Sequence, residues 1–177
     1  MLFDFFYIVS ELKKVQRKGW HNKVGITHPE SVADHSYGAA IMAMIFSDNG
    51  GNLDTERIIK MALLHDLAES ITGDFIPGEI QKENKKIAEN QAMDEILSKL
   101  PPTLLHKYRS IWNEYVDCTS KESVLLHEID RLEMAVQAAK YFGEGFQKDK
   151  LQEFIESARR EIKSKELLEV LDEISYK

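Results

Sequence analysis

The stretch with the clearest chemical potential follows an apolar run at residues 58–64. Residues 65–69 read His-Asp-Leu-Ala-Glu, and Asp74 follows shortly after. On a helix, Glu69 would share the face of His65, one turn away. An isolated His-Asp pair usually only caps a helix or forms surface hydrogen bonds. Here the apolar run implies burial, and crowded buried acids need a cation or protons to neutralise them.

Two more residues have side chains suited to binding the same ion. His35 lies in the first turn of a predicted apolar helix, where a histidine is more often a satisfied core or capping residue. Asp130 has Leu126 and Met134 four residues away on either side, which places it on the apolar flank of a helix. The alternative role for Asp130 is an ion pair with Arg131 or another arginine.

Helical periodicity covers almost the whole chain, and no alternating β pattern of useful length appears. The sequence therefore predicts an all-α fold, a single-domain bundle of about eight helices. Capping signals support the helix starts: Ser31 with Asp34 has the form of a capping box, and Asp54 and Ser120 (or Thr119) are predicted caps. The predicted helices are 2–17, 31–47, 54–66, 80–100, 103–117, 120–141, 148–163 and 165–174, with a turn-rich stretch at 20–30.

Composition limits the range of functions. The chain has 177 residues and a formal net charge of −7, which disfavours a nucleic-acid polymer as partner because such surfaces need clustered basic residues. No apolar run approaches the roughly 20 residues of a membrane span, and the first residues lack the features of a signal peptide. The single cysteine, Cys118, excludes an intrachain disulfide and suits a reducing compartment. We expect a cytoplasmic protein that does not bind membranes.

The order of the candidate ligands resembles a known signature. His35, then His65-Asp66, then Asp130 is similar to the H…HD…D pattern of HD-domain phosphohydrolases. Further strings resemble the YfbR-like 5′-deoxynucleotidase branch of that family. They are Arg-Lys-Gly-Trp at 17–20, Pro-Glu-Ser-Val-Ala-Asp-His at 29–35, His-Asp-Leu-Ala-Glu at 65–69, Gly-Asp at 73–74 and Asp-Arg-Leu-Glu-Met at 130–134.

The resemblance implies that His35, His65, Asp66 and Asp130 hold one divalent metal in a helical bundle. Two imidazoles and two carboxylates suit Mn, Co, Fe or Zn better than Ca or Mg. It also implies one HD domain over residues 1–177, with the motif-bearing core at 12–140 and C-terminal helices at 147–175. Family members are often homodimers, so we expect a homodimer.

The resemblance further implies hydrolysis of (deoxy)nucleoside 5′-monophosphates to nucleoside and phosphate. Glu69 would transfer a proton, and Arg17 would clamp the phosphate with its planar fork. Trp20 would stack against the nucleoside. Without the family, Glu69 is interpreted as a solvated acid, Arg17 as a charge at a helix C-terminus, and Trp20 as a core residue.

The remaining substrate contacts are expected after the HD pair. In the family an acid matching Asp74 contacts the sugar 3′-hydroxyl, and residues up to Pro77, including Ile76, line the sugar. The alternative for Asp74 is turn formation, since Gly-Asp is a common turn pair. A preference for deoxyribose is a hypothesis, because the sequence has no obvious device that excludes a 2′-hydroxyl.

Other functions stay open as alternatives. HD-site guanosine tetraphosphate hydrolases typically have Glu-Asp after the motif, whereas Ser70 follows Glu69 here. Deoxynucleotide triphosphohydrolases need a much longer chain, and two-metal HD phosphodiesterases need extra histidines, for which only His106 and His127 are available. A helical module that binds metal or nucleotide without turnover is the alternative from a different class; it would not need a proton-transfer acid such as Glu69.

Overall fold

The computed structural model describes residues 2–50, 52–76 and 78–175, and these residues form an all-α bundle, as predicted. None of the helices in this part is both long and apolar enough to cross a membrane. The nine α-helices found there are α1 (Leu2–Glu11), α2 (Val32–Gly50), α3 (Thr55–Leu64), α4 (Glu69–Thr72), α5 (Lys82–Leu97), α6 (Pro102–Asp117), α7 (Lys121–Gly143), α8 (Lys148–Glu161) and α9 (Lys165–Ser175).

Helices α2, α3 and α7 pack against one another at the centre of the fold. Their core positions are fully buried and apolar, which is the main stabilising contribution of the bundle. Residues from α8 and α9 belong to the same buried cluster, so the C-terminal helices share the main core. Members of this cluster include Ala39, Ala43, Ile58, Met61, Leu126, Ile129, Ala158 and Leu171.

The predicted caps are confirmed. The Ser31 hydroxyl accepts from the Asp34 backbone N–H at 3.1 Å, and the Asp34 carboxylate accepts from the Ser31 backbone N–H at 2.9 Å. This reciprocal capping box begins α2 one turn before His35. The Asp54 side chain accepts from the Arg57 N–H and begins α3, and Ser120 caps α7.

The first predicted helix is wrong in its second half. α1 ends at Glu11 and a 3₁₀ turn covers Leu12–Lys14. The backbone then pairs with the chain before α2: the Arg17 N–H donates to Glu30 O at 3.0 Å, and the Val32 N–H donates to Val15 O at 2.8 Å. Arg17 therefore lies in an extended segment, held by backbone pairing and not by a helix.

The His65–Asp66 pair does not lie within a helix either. α3 ends at Leu64, and residues 65–68 form a turn that leads directly into α4. The turn is tightened by hydrogen bonds that span three residues, such as Glu69 N–H to Asp66 O at 3.0 Å. It brings His65, Asp66 and Glu69 onto neighbouring positions at the end of α3.

Candidate active site

Three of the four predicted metal ligands, His35, His65 and Asp66, converge between α2 and the α3–α4 turn, and Asp130 of α7 lies against His35 at the edge of this group. His35 Nε2 lies 3.0 Å from Asp130 Oδ1 and 3.4 Å from His65 Nε2. Asp66 Oδ2 lies 3.3 Å from His65 Nε2 and 3.7 Å from His35 Nε2. The structure thus brings together residues that are far apart in the sequence.

These distances fit a shared divalent cation. Ligands that each lie about 2.0–2.2 Å from one ion are separated by about 3–3.5 Å when they sit at neighbouring coordination positions. His35, His65 and Asp66 form a group whose ligand atoms all lie within 4.8 Å of one another, and Asp130 adjoins it through His35. Two imidazole nitrogens that face each other beside two carboxylates are a donor set suited to a metal ion.

The second nitrogen of each imidazole ring has its own partner. His65 Nδ1 is 2.6 Å from the carbonyl oxygen of Ala62, and His35 Nδ1 is 2.5 Å from Glu133 Oε2. Both acceptors favour the tautomer with the proton on Nδ1. The Nε2 atoms are then available as ligands.

Without a cation the four groups compensate one another. Burial opposes protonation of His35, yet its hydrogen bonds to Asp130 and Glu133 raise its pKa to about 10. Burial would raise the pKa of Asp130, but the hydrogen bond from His35 holds it well below its usual range. The buried histidines and carboxylates therefore stabilise one another's charged forms.

Glu69 is buried beside this cluster. Its Oε2 has no hydrogen-bond partner, and only 3% of the residue is exposed. Burial, together with the nearby carboxylates of Asp66 and Asp74, raises the pKa of Glu69 to about 10. An unpaired buried carboxyl group is costly to keep, and such groups concentrate at functional sites.

Arg17 reaches the cluster from the extended segment. Its Nη1 lies 3.3 Å from Asp66 Oδ2, and both side chains are largely buried. The guanidinium also interacts electrostatically with Asp130 and Asp74. The structure thus places Arg17 at the candidate metal site.

Trp20 does not have the position expected for substrate stacking. It lies in a π-helical turn, Trp20–Val24, with a ring centroid 4.2 Å from that of Phe154 and 5.2 Å from that of Tyr141. Its Nε1–H donates to Glu30 Oε1 at 2.8 Å. Only 1% of Trp20 is exposed, so its ring has no free face for a nucleoside. The expectation of stacking is corrected to a core role.

Asp74 is buried near Glu69 and Arg17, and its Oδ2 accepts from the Lys18 backbone N–H at 2.6 Å. One carboxylate oxygen thus ties the loop after α4 to the segment that carries Arg17. Ile76 is partly buried, and its N–H donates to Glu79 Oε2 at 3.1 Å. Pro77 lies outside the described residues.

Sequence reasoning missed two acids on the far side of His35 and one cation. Glu133 bonds the His35 ring, and Glu30 lies close enough that its carboxylate, that of Glu133 and the ring of His35 form a second compact group. Burial and Glu133 raise the pKa of Glu30 to about 7. Lys85 of α5 interacts electrostatically with Glu69 and Asp66. The signal for Glu133 was its position three residues after Asp130, on the same helical face.

The two histidines available for a second metal are engaged elsewhere or lie apart. His127 stacks on Tyr115 with centroids 4.3 Å apart, and its Nε2 is 3.0 Å from Tyr115 O. Within the described part of the chain, neither His127 nor His106 belongs to a group that could hold a metal. This argues against the two-metal phosphodiesterase alternative.

Comparisons with known proteins agree with the geometry. Residues 9–170 match the HD domain family. The 5′-deoxynucleotidase HDDC2 of Dictyostelium discoideum is 40% identical over 166 residues, which cover 88% of this chain and 87% of that protein. The human 5′-deoxynucleotidase HDDC2 is 35% identical over 98% of this chain and 84% of its own length.

A solved structure has the same fold. A conserved hypothetical protein from Pyrococcus furiosus superimposes with a TM-score of 0.82 at 30% identity, and the match covers 99% of both chains. The family match and the relatives all extend over most of the sequence, including the residues that carry His35, His65, Asp66 and Asp130. The chain belongs to the HD domain family.

Proposed function

We propose that this protein is a metal-dependent 5′-deoxynucleotidase, a phosphomonoesterase that converts deoxynucleoside 5′-monophosphates to nucleoside and phosphate. The observation that carries the proposal is the convergence of His35, His65 and Asp66, with Asp130 in contact with His35 and Glu69 buried beside them. The relatives described above, which are named 5′-deoxynucleotidases, support the same reaction.

His35, His65, Asp66 and the adjoining Asp130 would hold one divalent ion, with Mn, Co, Fe or Zn as the proposed identities. When bound, such an ion polarises a phosphoryl oxygen and lowers the pKa of water towards about 7, which makes a hydroxide nucleophile available at neutral pH. Uncatalysed hydrolysis of phosphate monoesters is among the slowest of biological reactions. The site therefore has to supply both charge neutralisation and proton transfer.

Glu69 is the group proposed to move the proton. In the reaction a water oxygen bonds to phosphorus and the bond between phosphorus and the 5′-oxygen breaks, so the departing 5′-oxygen needs a proton. Glu69 carries a buried carboxyl group whose Oε2 is free of other partners. It can hold this proton at Oε2 and deliver it to the leaving oxygen.

Arg17 is proposed to bind the phosphate. Its guanidinium is a planar fork that matches the spacing of phosphate oxygens, and its ion pair with Asp66 holds it at the site. Lys85 adds a second positive charge near Glu69. Together these cations offset the acids, which would otherwise repel a phosphate group.

The sugar is proposed to lie against the loop after α4. Asp74 would accept a hydrogen bond from the 3′-hydroxyl, with Ile76 beside the ring. Support for this comes from the burial of Asp74 next to Glu69 and Arg17. A preference for deoxyribose over ribose belongs to the same proposal.

The test is a phosphate-release panel with Mn²⁺ or Co²⁺ added. Deoxynucleoside 5′-monophosphates, the matching ribonucleotides, a deoxynucleoside triphosphate and a phosphodiester are compared at equal concentration. The proposal predicts rapid release from the deoxynucleoside monophosphates and little from the triphosphate or diester. Equal rates for deoxyribo- and ribonucleotides would refute the sugar preference alone; no release from any monophosphate would refute the nucleotidase.

We also propose that the protein is a homodimer and that it is cytoplasmic. A stripe of exposed apolar side chains runs along α2 at four-residue spacing (Tyr37, Ile41 and Ile45), which suits burial against a second copy. Light scattering tests this: the wild type should have twice the chain mass, and Ile41→Lys should have the mass of one chain. A wild type that stays monomeric at micromolar concentration would contradict it.

The single cysteine supports the proposed cytoplasmic location, which fractionation of the cells would test.

We also propose one HD domain over residues 1–177. Its support is the main core shared between the motif-bearing helices and α8 and α9. Limited proteolysis should then leave these parts together; early separation of an intact core from the C-terminal helices would oppose a single domain.

A further inference from the structure

Gly38 occupies an unusual place in α2. A glycine in the interior of a helix is destabilising relative to alanine, and Gly38 is flanked by helical residues on both sides. It lies three residues after His35, on the same face of the helix. The neighbour at this position is the side chain of Glu133 from α7.

The glycine leaves space that Glu133 fills. A Cβ atom built on Gly38 would lie 2.8 Å from Glu133 Oε1, 3.2 Å from its Cγ and 3.3 Å from its Cδ. Glu133 uses its other oxygen, Oε2, to accept from His35 Nδ1 at 2.5 Å. Any larger residue at position 38 would therefore push the carboxylate away from the histidine ring.

The partner of His35 differs from that of His65. His65 Nδ1 faces the neutral carbonyl of Ala62, whereas His35 Nδ1 faces a buried carboxylate. A carboxylate on the far nitrogen fixes the orientation of the ring and makes Nε2 a more basic ligand. Glu30, whose Oε1 accepts from Trp20 Nε1–H at 2.8 Å, lies beside both Glu133 and His35.

We propose that Glu133 is a positioning residue for His35. We further propose that position 38 is a glycine because the side chain of Glu133 passes over α2 there and leaves no room for a Cβ atom. This inference rests on the proposed metal site and deepens it. Glu133 would act through His35 and touch neither the ion nor the substrate. Loss of such a partner typically weakens metal binding about 10- to 100-fold.

A double-mutant cycle on Co²⁺ binding tests the pair. The dissociation constant and the Co²⁺ absorption spectrum are measured for the wild type, Gly38→Ala, Glu133→Ala and the double variant. Each single change should raise the dissociation constant about 10- to 100-fold. In the double variant Gly38→Ala should add nothing further, because the truncated side chain leaves room for the new methyl group.

Gly50→Ala is the matched control, since it lies in the same helix and a Cβ there meets nothing within 4 Å. It should bind Co²⁺ as the wild type does. Glu133→Gln keeps the volume and an acceptor oxygen but loses the charge, so its dissociation constant should lie between those of the wild type and Glu133→Ala. Because it keeps the volume, it also tests the role of Glu133 if Glu133→Ala fails to fold.

The inference is overturned if Gly38→Ala binds Co²⁺ like Gly50→Ala, or if the effects of Gly38→Ala and Glu133→Ala multiply in the double variant. Either result would leave the proposed metal site intact. A wild type that binds no Co²⁺ at all would instead remove the proposed function on which the inference rests.

Discussion

The Nε2 atoms of His35 and His65 lie 3.4 Å apart, although the two residues are 30 positions apart in the chain. His35 comes from the first turn of α2, and His65 from the turn that follows α3. Two imidazole nitrogens at this distance repel each other when both carry protons, and both lone pairs are satisfied when a cation lies between them. The carboxylates of Asp66 and Asp130 complete the arrangement.

Metal binding should release protons. Burial lowers the pKa of His35, but its hydrogen bonds to Asp130 and Glu133 outweigh this and raise the pKa to about 10. His35 is therefore expected to be protonated at neutral pH before a metal binds. A cation at Nε2 must displace this proton. The apparent dissociation constant should therefore fall as pH rises, about tenfold per pH unit for each proton released.

Calorimetric titration of Mn²⁺ at pH 7 in two buffers with different protonation enthalpies measures the proton count. We expect at least one proton released per ion. Identical apparent affinity at pH 6.5 and pH 8, with no dependence on the buffer, would show that the cation binds elsewhere.

Replacing Glu69 with glutamine should separate turnover from metal binding. Glu69→Gln keeps the shape of the side chain and removes the transferable proton, so turnover should fall about 10²- to 10⁴-fold. Metal content should stay at the wild-type level, because Glu69 is not among the proposed ligands. Steady-state phosphate release and metal analysis on the same sample give both quantities.

The control is Glu83→Gln, a glutamate exposed in the first turn of α5. It should retain wild-type turnover. Full activity of Glu69→Gln would assign proton transfer to another group.

Arg17→Lys should weaken phosphate binding and leave the fold intact. Lysine keeps the charge but loses the fork, and charge-assisted hydrogen bonds contribute about 1.5–3 kcal/mol. The expected result is a rise of about 10- to 100-fold in KM and in the inhibition constant of inorganic phosphate. Lys23→Ala, which removes an exposed ion pair with Glu153, is the control. An unchanged inhibition constant in Arg17→Lys would exclude a phosphate clamp at this position.

Trp20→Ala should lower the free energy of unfolding. The ring fills the second buried cluster, with Phe154 and Tyr141 as neighbours, and removing such a side chain costs about 3–5 kcal/mol. Denaturant unfolding measures this loss, and Phe3→Ala at an exposed position should change stability by less than about 0.5 kcal/mol. If Trp20→Ala were as stable as the wild type but had a raised KM, the stacking role would be restored.

Local patterns predicted most of the fold. The capping box of Ser31 and Asp34 and the cap at Asp54 depend on residues a few positions apart, so the sequence reports them directly. Where long-range pairing decides the backbone, prediction failed: the helix expected to reach Arg17 ends early because residues 15–17 pair with 30–32.

The candidate site shows the same division. The ordered set of His35, His65-Asp66 and Asp130 could be found because its members are chemically distinctive. Glu133 was missed although it lies three residues after Asp130, because an acid on a helix resembles a solvated charge until the packing of α2 on α7 places it against His35. Trp20 was misassigned for the same reason, because only the packing of Phe154 shows that its ring is covered.

The most direct test measures bound metal and phosphate release on the same samples. Wild type and His65→Ala are stripped with a chelator, reloaded with Mn²⁺ or Co²⁺, and assayed with a deoxynucleoside 5′-monophosphate. We predict that the wild type regains both the ion and turnover, whereas His65→Ala regains neither. Turnover in the wild type that persists after complete metal removal, or a His65→Ala variant that retains ion and activity, would contradict a metal-dependent nucleotidase built on this site.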